Sequence, residues 1–184
     1  MIATEIENLK YPIGKFSTPV EYSKNLFDEW IKTIEDLPEK LRAEIQHLRD
    51  EQLDTPYRDG GWTVRQVVHH LADSHLNAYI RFKLAMTEEV PTIKPYFEDR
   101  WAELHEAKHA PAELSVALLE ALHKRWVHYL RSLKEEDLKR KYHHPESKKD
   151  MELRTILALY AWHSRHHLAH ITSLAERKGW RPKK

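Results

Sequence analysis

Residues 161–171 read AWHSRHHLAHI and place His163, His166, His167 and His170 within two turns of one helix. At about 100° and 1.5 Å per residue, His163 and His167 differ by only about 40° around the axis and about 6 Å along it. Both imidazoles can therefore reach one ion. Imidazole is the commonest metal ligand and suits zinc, nickel, copper and iron. With His163 set at zero, Ile156 and Leu174 fall near about +20°, Leu159 near about −40°, Tyr160 near about +60° and Ile171 near about +80°. The histidines thus lie inside the apolar stripe of an amphipathic helix. His167 and His170 share that stripe, and His166 sits at its edge near about −60°. One such histidine would be read as a hydrogen-bonded core residue. Four on one stripe exceed what core packing readily satisfies, and the segment reads as a metal-binding helix that needs a ligand from elsewhere.

Working outward, three more long helical patterns precede this one. The first covers about residues 18–47, with Trp30, Ile31, Ile34, Leu37, Leu41 and Ile45 at helical spacing, and Pro38 predicts a kink or restart within it. The second begins at Gly61-Trp62-Thr63, where Thr63 is a strong N-cap, Gln66 completes a capping box, and Trp62 with Val67 makes a hydrophobic staple. It should run to about Thr87. The third covers about residues 111–133, opening on Pro111, with Leu114, Leu118, Leu122, Trp126 and Leu130 as its apolar rows. The fourth covers about residues 153–178 and ends at Gly179, a natural C-cap. Between the second and third lie about two dozen residues with Pro91 and Pro95 and a short helix around residues 99–107, a connection long enough to indicate a crossover. The expected fold is all-α, a four-helix bundle with a long crossover between helices two and three, forming one domain over residues 1–184.

Composition narrows the function classes. The 184 residues suit one sizeable core, and 41% hydrophobic with 32% charged residues and 4 glycines describes a helix-rich globular chain. A net charge of +1, with basic and acidic residues interleaved, argues against nucleic acid as a partner. The basic end, Arg181 to Lys184, is expected to fray. No cysteine is present, so a metal must be held by His, Asp or Glu, and thiol chemistry would need a thiol from another molecule. No apolar run approaches the ~20 residues of a membrane span and MIATEIENLK has no signal-peptide core, so a cytoplasmic location is expected.

His69 and His70 in the second helix are the leading candidates for the third ligand, and adjacent residues differ by about 100°, so one of them faces inward. His70 heads a polar strip with Gln66, Asp73, Ser74, Asn77 and Arg81, as the wall of a reaction cavity would, whereas His69 points towards Leu76 and Ile80. The competing reading makes the strip the solvated face of that helix. His143 and His144 lie in a turn-like KYHHPES segment, from which His144 could reach over a cavity mouth; neither is assigned to the metal, and nor are His47, His75, His105, His109, His123 and His128.

The run GGWTVRQVVHHLADSH, followed some ninety residues later by WHSRHHLAHI, resembles the DinB/YfiT-like superfamily, and its YfiT branch most closely. YPIG at 11–14, LDTPYRDGGW at 53–62 and YIRFKLAMTEEVP at 79–91 extend the similarity along nearly the whole chain. The resemblance implies a ligand set of His70, His163 and His167, one metal ion per subunit, a bundle with a long crossover, and a homodimer. It also implies a metal-dependent hydrolase. One departure is visible: many members carry Arg-Gly-Gln after the last ligand where this chain has Leu168-Ala169-His170, so His170 stands in the place of a glutamine.

Three neutral imidazoles leave a coordination position open, as in catalytic rather than structural zinc sites. Zinc is the first expectation for the ion and nickel the second. Bound water then becomes a nucleophile near neutral pH, or a bound thiol is deprotonated. The first outcome makes a hydrolase of a small-molecule substrate. The second makes an S-transferase using a low-molecular-weight thiol such as bacillithiol, as some superfamily members do; a non-catalytic metal-binding bundle is the remaining alternative. Ligand histidines need acceptors for their other ring nitrogen. Asp73 is the candidate, with Asn77, Arg81 and Tyr160 placed to orient an anionic substrate, His170 beside the site and His166 at a dimer surface or in solvent.

Overall fold

The computed structural model describes residues 3–180; the end expected to fray, Arg181 to Lys184, lies outside them. In chain order the elements are α1 (Ala3–Lys10), α2 (Lys24–Ile45), α3 (Asp50–Leu53), α4 (Val64–Thr87), α5 (Glu98–Trp101), α6 (His105–His109), α7 (Ala112–Ser132), a hairpin of β1 (Lys141–His144) and β2 (Lys149–Glu152), and α8 (Leu153–Lys178). The four long helices form the bundle. α2 packs on α7 and α8, and α4 packs on the same two, so α2 and α4 stand on one diagonal and α7 and α8 on the other. No helix among the described residues is long and apolar enough to cross a membrane.

Local chemistry sets the helix ends. Thr63 Oγ1 accepts from Gln66 N at 3.1 Å while Gln66 Oε1 accepts from Thr63 N at 2.9 Å, the reciprocal box that opens α4. α8 closes on Gly179 at φ 65°, with Trp180 N donating to Ala175 O at 2.9 Å. α2 starts six residues later than its apolar spacing suggested, at Lys24, where Ser23 Oγ accepts from Leu26 N at 3.4 Å. Thr18 precedes Pro19, which disfavours helical backbone there. Pro38 does not interrupt α2, which runs through it. The long connection, residues 88–111, lies where it was expected, but its helix is split into α5 and α6. The KYHHPES segment is half of a hairpin rather than a turn, with Lys141 paired to Glu152 and His144 to Lys149.

The core is divided. One apolar cluster gathers Ile34, Ala78, Phe82, Trp126, Leu157 and Ala161; a second gathers Leu37, Leu41, Ala72, Val116, Leu119 and Ile171. Between them lies a polar stratum in which His70, His75, His123, His166, His167 and His170 are all buried. Burying so many imidazoles is costly unless their nitrogens are engaged, which makes this layer the place to look for chemistry.

Candidate metal centre

α4 and α8 bring His70, His163 and His167 together. His70 Nε2 lies 3.3 Å from His163 Nε2, and one ligating nitrogen from each of the three residues falls within 4.8 Å of the others. Ligand atoms at 2.0–2.1 Å from a tetrahedral ion are separated by about 3.3 Å, so the observed spacing of the first pair fits. Burial keeps all three imidazoles neutral, holding His70 at about 4 and His163 and His167 well below the ordinary histidine value. Their lone pairs are thus available at neutral pH. His167 Nδ1 is buried with no hydrogen-bond partner, as are Nδ1 of His166 and of His170, which form with it a second close histidine trio. Trp62, the residue before the N-cap of α4, covers the group, its ring 4.6 Å from that of His70 and stacked at 6.4 Å on that of His167.

His163 faces two cavities. One, of about 470 Å³, is lined by Ser74, Arg81, Tyr96, His144, Glu146 and Tyr160 among others; the second, of about 540 Å³, by Tyr11, Tyr57, Arg58, Trp62, His70 and His167 among others. Glu98 and Asp99, on α5, line both. Gln66 helps hold the connection that carries them, its Nε2 donating to Ala102 O at 2.7 Å. The carboxylates at the junction were not visible in the sequence because they lie in an irregular connection that no periodicity places.

The remaining sequence candidates separate. Tyr160 lines the first cavity, its hydroxyl donating to Ser74 O at 3.2 Å, and burial pushes its pKa up. Arg81 lines the same cavity, with Nη2 only 3.5 Å from Lys94 O and a buried Nε that has no partner. His144 lines the same cavity. Asp73 does not serve a ligand histidine: among the described residues its carboxylate bonds to none, and burial, followed by the nearby Glu106, raises its pKa to about 6. Asn77 turns back on its own helix, donating to Asp73 O at 2.9 Å, so it does not face the cavities. His166 is neither solvent-exposed nor peripheral: it is buried and stacked on Trp162 with centroids 4.3 Å apart. His170 stacks on Tyr57 at 4.0 Å and donates through Nε2 to Lys10 O at 3.0 Å.

The acceptor that Asp73 was expected to supply is a histidine. His75 Nε2 stands 3.2 Å from His163 Nδ1, and His75 is fully buried. His123 is buried as well and bonds to His75. His69, meanwhile, is spent on structure, with Nδ1 2.7 Å from Ser115 Oγ and Nε2 3.2 Å from Ala110 O, tying α4 to the start of α7. His69→Ala should therefore leave the response to metal titration as in the wild type while lowering stability by about 1–3 kcal/mol, the cost of stranding Ser115. His70→Ala should do the reverse, and urea unfolding with zinc titration on the same samples separates the two.

A sequence model of the DinB superfamily matches residues 33–171. The chain belongs to the DinB superfamily. Among DinB relatives it is 54% identical over 173 residues to the Bacillus subtilis (strain 168) protein named "Putative metal-dependent hydrolase YfiT", covering 94% of this chain and 97% of that one. A Bacillus mycoides (strain KBAB4) protein of the same descriptive name is 55% identical over 175 residues, 95% of this chain and 100% of that one. The solved structure of Bacillus subtilis YfiT, described as "a probable metal-dependent hydrolase with an unusual four-helix bundle topology", superposes with a TM-score of 0.92 at 53% identity, over 95% of this chain and 99% of that one. The DinB bundle expected from the sequence is thereby shown.

Proposed function

We propose that this protein is a divalent-metal-dependent hydrolase of a small molecule, with His70, His163 and His167 holding one ion, zinc before nickel. The observation that carries this reading is the convergence of three neutral imidazoles at the junction of two cavities, where a bound ion would be within reach of substrate. The names of the DinB relatives support it. A bound ion of this kind supplies Lewis acidity and a nucleophile at neutral pH. The chain's own groups supply the rest. Glu98 and Asp99, at the junction, accept the proton released on attack; Arg81, whose Nε lacks a partner, pairs with an anionic part of the substrate; Tyr160 fixes the wall between them. Trp62 and Tyr57 line the second cavity with aromatic surface, packed on His70 and His170.

The same proposal includes a homodimer, for which Leu76 and Ile80 on α4 and Leu114 and Leu118 on α7 supply exposed apolar surface.

The test is a zinc-loaded sample assayed on ester and amide panels, and in parallel on a reactive electrophile with bacillithiol, mycothiol or glutathione. Metal-dependent hydrolysis without thiol supports the proposal; turnover that requires the thiol replaces it with the S-transferase reading. Within the hydrolase, the double change Glu98→Gln with Asp99→Asn should lower kcat by about 10²–10⁴-fold, the usual worth of a positioned proton acceptor, with zinc content unchanged.

A further inference from the structure

Three buried imidazoles run in series away from the candidate centre. His163 Nδ1 is 3.2 Å from His75 Nε2, His75 Nδ1 is 3.0 Å from His123 Nε2, and His123 Nδ1 is 2.6 Å from the carbonyl oxygen of Ile34 on α2. The series crosses the bundle from α8 through α4 and α7 to α2, within the polar stratum between the two apolar clusters.

The last acceptor exists because of a proline. In an α-helix the carbonyl of residue i accepts from the amide of residue i+4. For Ile34 that residue is Pro38, which has no N–H. The Ile34 carbonyl is therefore left open in the middle of α2, and it is buried, so it must find a donor elsewhere. His123 provides it.

A carbonyl oxygen only accepts, and this fixes every proton in the series. His123 must carry its hydrogen on Nδ1. As a neutral ring it then has a lone pair on Nε2, so His75 must donate from Nδ1. His75 in turn has a lone pair on Nε2, so His163 must donate from Nδ1. His163 is then left with an unprotonated Nε2, the atom that faces His70 Nε2 at 3.3 Å. Reversing the polarity anywhere would place two hydrogens or two lone pairs against each other in a buried contact. No other tautomer set of three neutral rings satisfies all three contacts.

We propose that Pro38, by leaving the Ile34 carbonyl without its helical donor, sets the tautomers of His123, His75 and His163 and so presents the bare Nε2 of His163 to the metal. His75 and His123 are positioning residues: neither touches the ion. The proposal rests on the reading of His163 as a ligand for its consequence, and on the hydrogen-bond geometry alone for the tautomers. Outer partners of ligand histidines commonly govern metal affinity by 10–100-fold, and here the partner series extends to a backbone group three residues removed from the ion.

The experiment reads the two parts separately. In metal-free, 15N-histidine-labelled full-length protein, long-range 1H–15N spectra should show His123, His75 and His163 each protonated on Nδ1 and bare on Nε2. An Nε2-protonated His163 overturns the proposal. Pro38→Ala restores an amide that competes for the Ile34 carbonyl, and His123→Leu removes the donor. Both should give a mixed His163 tautomer and weaken zinc binding about 10-fold or more in chelator competition. Pro38→Ala should not lower the melting temperature, since alanine suits a helix interior better than proline. His123→Gln, which offers an amide donor to Ile34 and a carbonyl acceptor to His75, should restore wild-type affinity. Should either variant fail to fold, the wild-type spectrum alone decides. Wild-type protein with the stated tautomers that binds no zinc would refute the metal reading and leave the tautomer assignment standing. Tight, unaltered zinc binding and an unaltered tautomer in Pro38→Ala and His123→Leu would refute the proposal and leave the metal reading intact.

Discussion

His163→Ala is expected to abolish stoichiometric zinc binding and to reduce metal-dependent turnover to that of the metal-free protein. This residue stands where three lines of contact meet: its Nε2 faces His70, its Nδ1 faces His75, and its ring borders both cavities. Loss of an outer partner alone costs about 10–100-fold in affinity, and removing a ligand itself must exceed that range. Metal content after dialysis checks the first part. The fold should survive, because the helices are held by the two apolar clusters above and below the histidine layer. A variant that retains one equivalent of zinc would eliminate His163 as a ligand and with it the proposed centre.

The metal-free protein should lose stability steeply as the solution is acidified from pH 7 to pH 5. Burial holds His70 and His123 at about 4 and His170 at about 3, against about 6.5 in an unfolded chain. Between those values the unfolded chain binds more protons than the folded one. The stability these groups contribute is therefore complete above their unfolded pKa and is lost as pH falls below it towards the folded values. Each adds a slope of about 1.4 kcal/mol per pH unit once the unfolded form is protonated. Three together give about 4 kcal/mol per unit. Asp73, raised to about 6, acts in the opposite sense over the same interval and offsets about one of the three. The remainder is still a large fraction of the 5–15 kcal/mol that holds such a domain together. Urea midpoints measured at pH 7, 6 and 5 should fall progressively, and a flat series would mean that these imidazoles are hydrated in the folded state.

The parts of this molecule that could be read from the sequence are those whose causes are local. The capping box at Thr63 and Gln66 and the glycine at 179 each act over a few residues, and the ends of α4 and α8 follow from them. The pair His163 and His167 was equally legible, because a four-residue spacing on one helix needs no knowledge of neighbours. His75 was not. It lies about 140° around α4 from His70, off the strip that looked functional. The first half of α4 is buried on nearly every side, so the expectation of one wet face and one dry face failed there. Pro38 illustrates the same boundary from the other direction. Its missing amide predicts a kink or restart in α2, and the donor that takes up the freed Ile34 carbonyl is His123 on α7, 89 positions from Ile34. The hairpin escaped notice because its strands are four residues each and rich in charge, with little of the β-branched alternation that marks a strand.

The end of α1 and the arm that follows it are held through main chain and side chains alike. His170 takes the carbonyl of Lys10, and Trp162 Nε1 donates to the carbonyl of Gly14 at 3.2 Å. The same stretch of α8 also takes the arm's rings, Tyr11 against His166 and Phe16 against Trp162. Each of the two hydrogen bonds contributes about 1 kcal/mol, and the ring contacts add to them. Lys10 and Tyr11 line the second cavity, so the seating of this stretch on α8 shapes that cavity. The helix that carries His163 and His167 thus also fixes the wall that faces them.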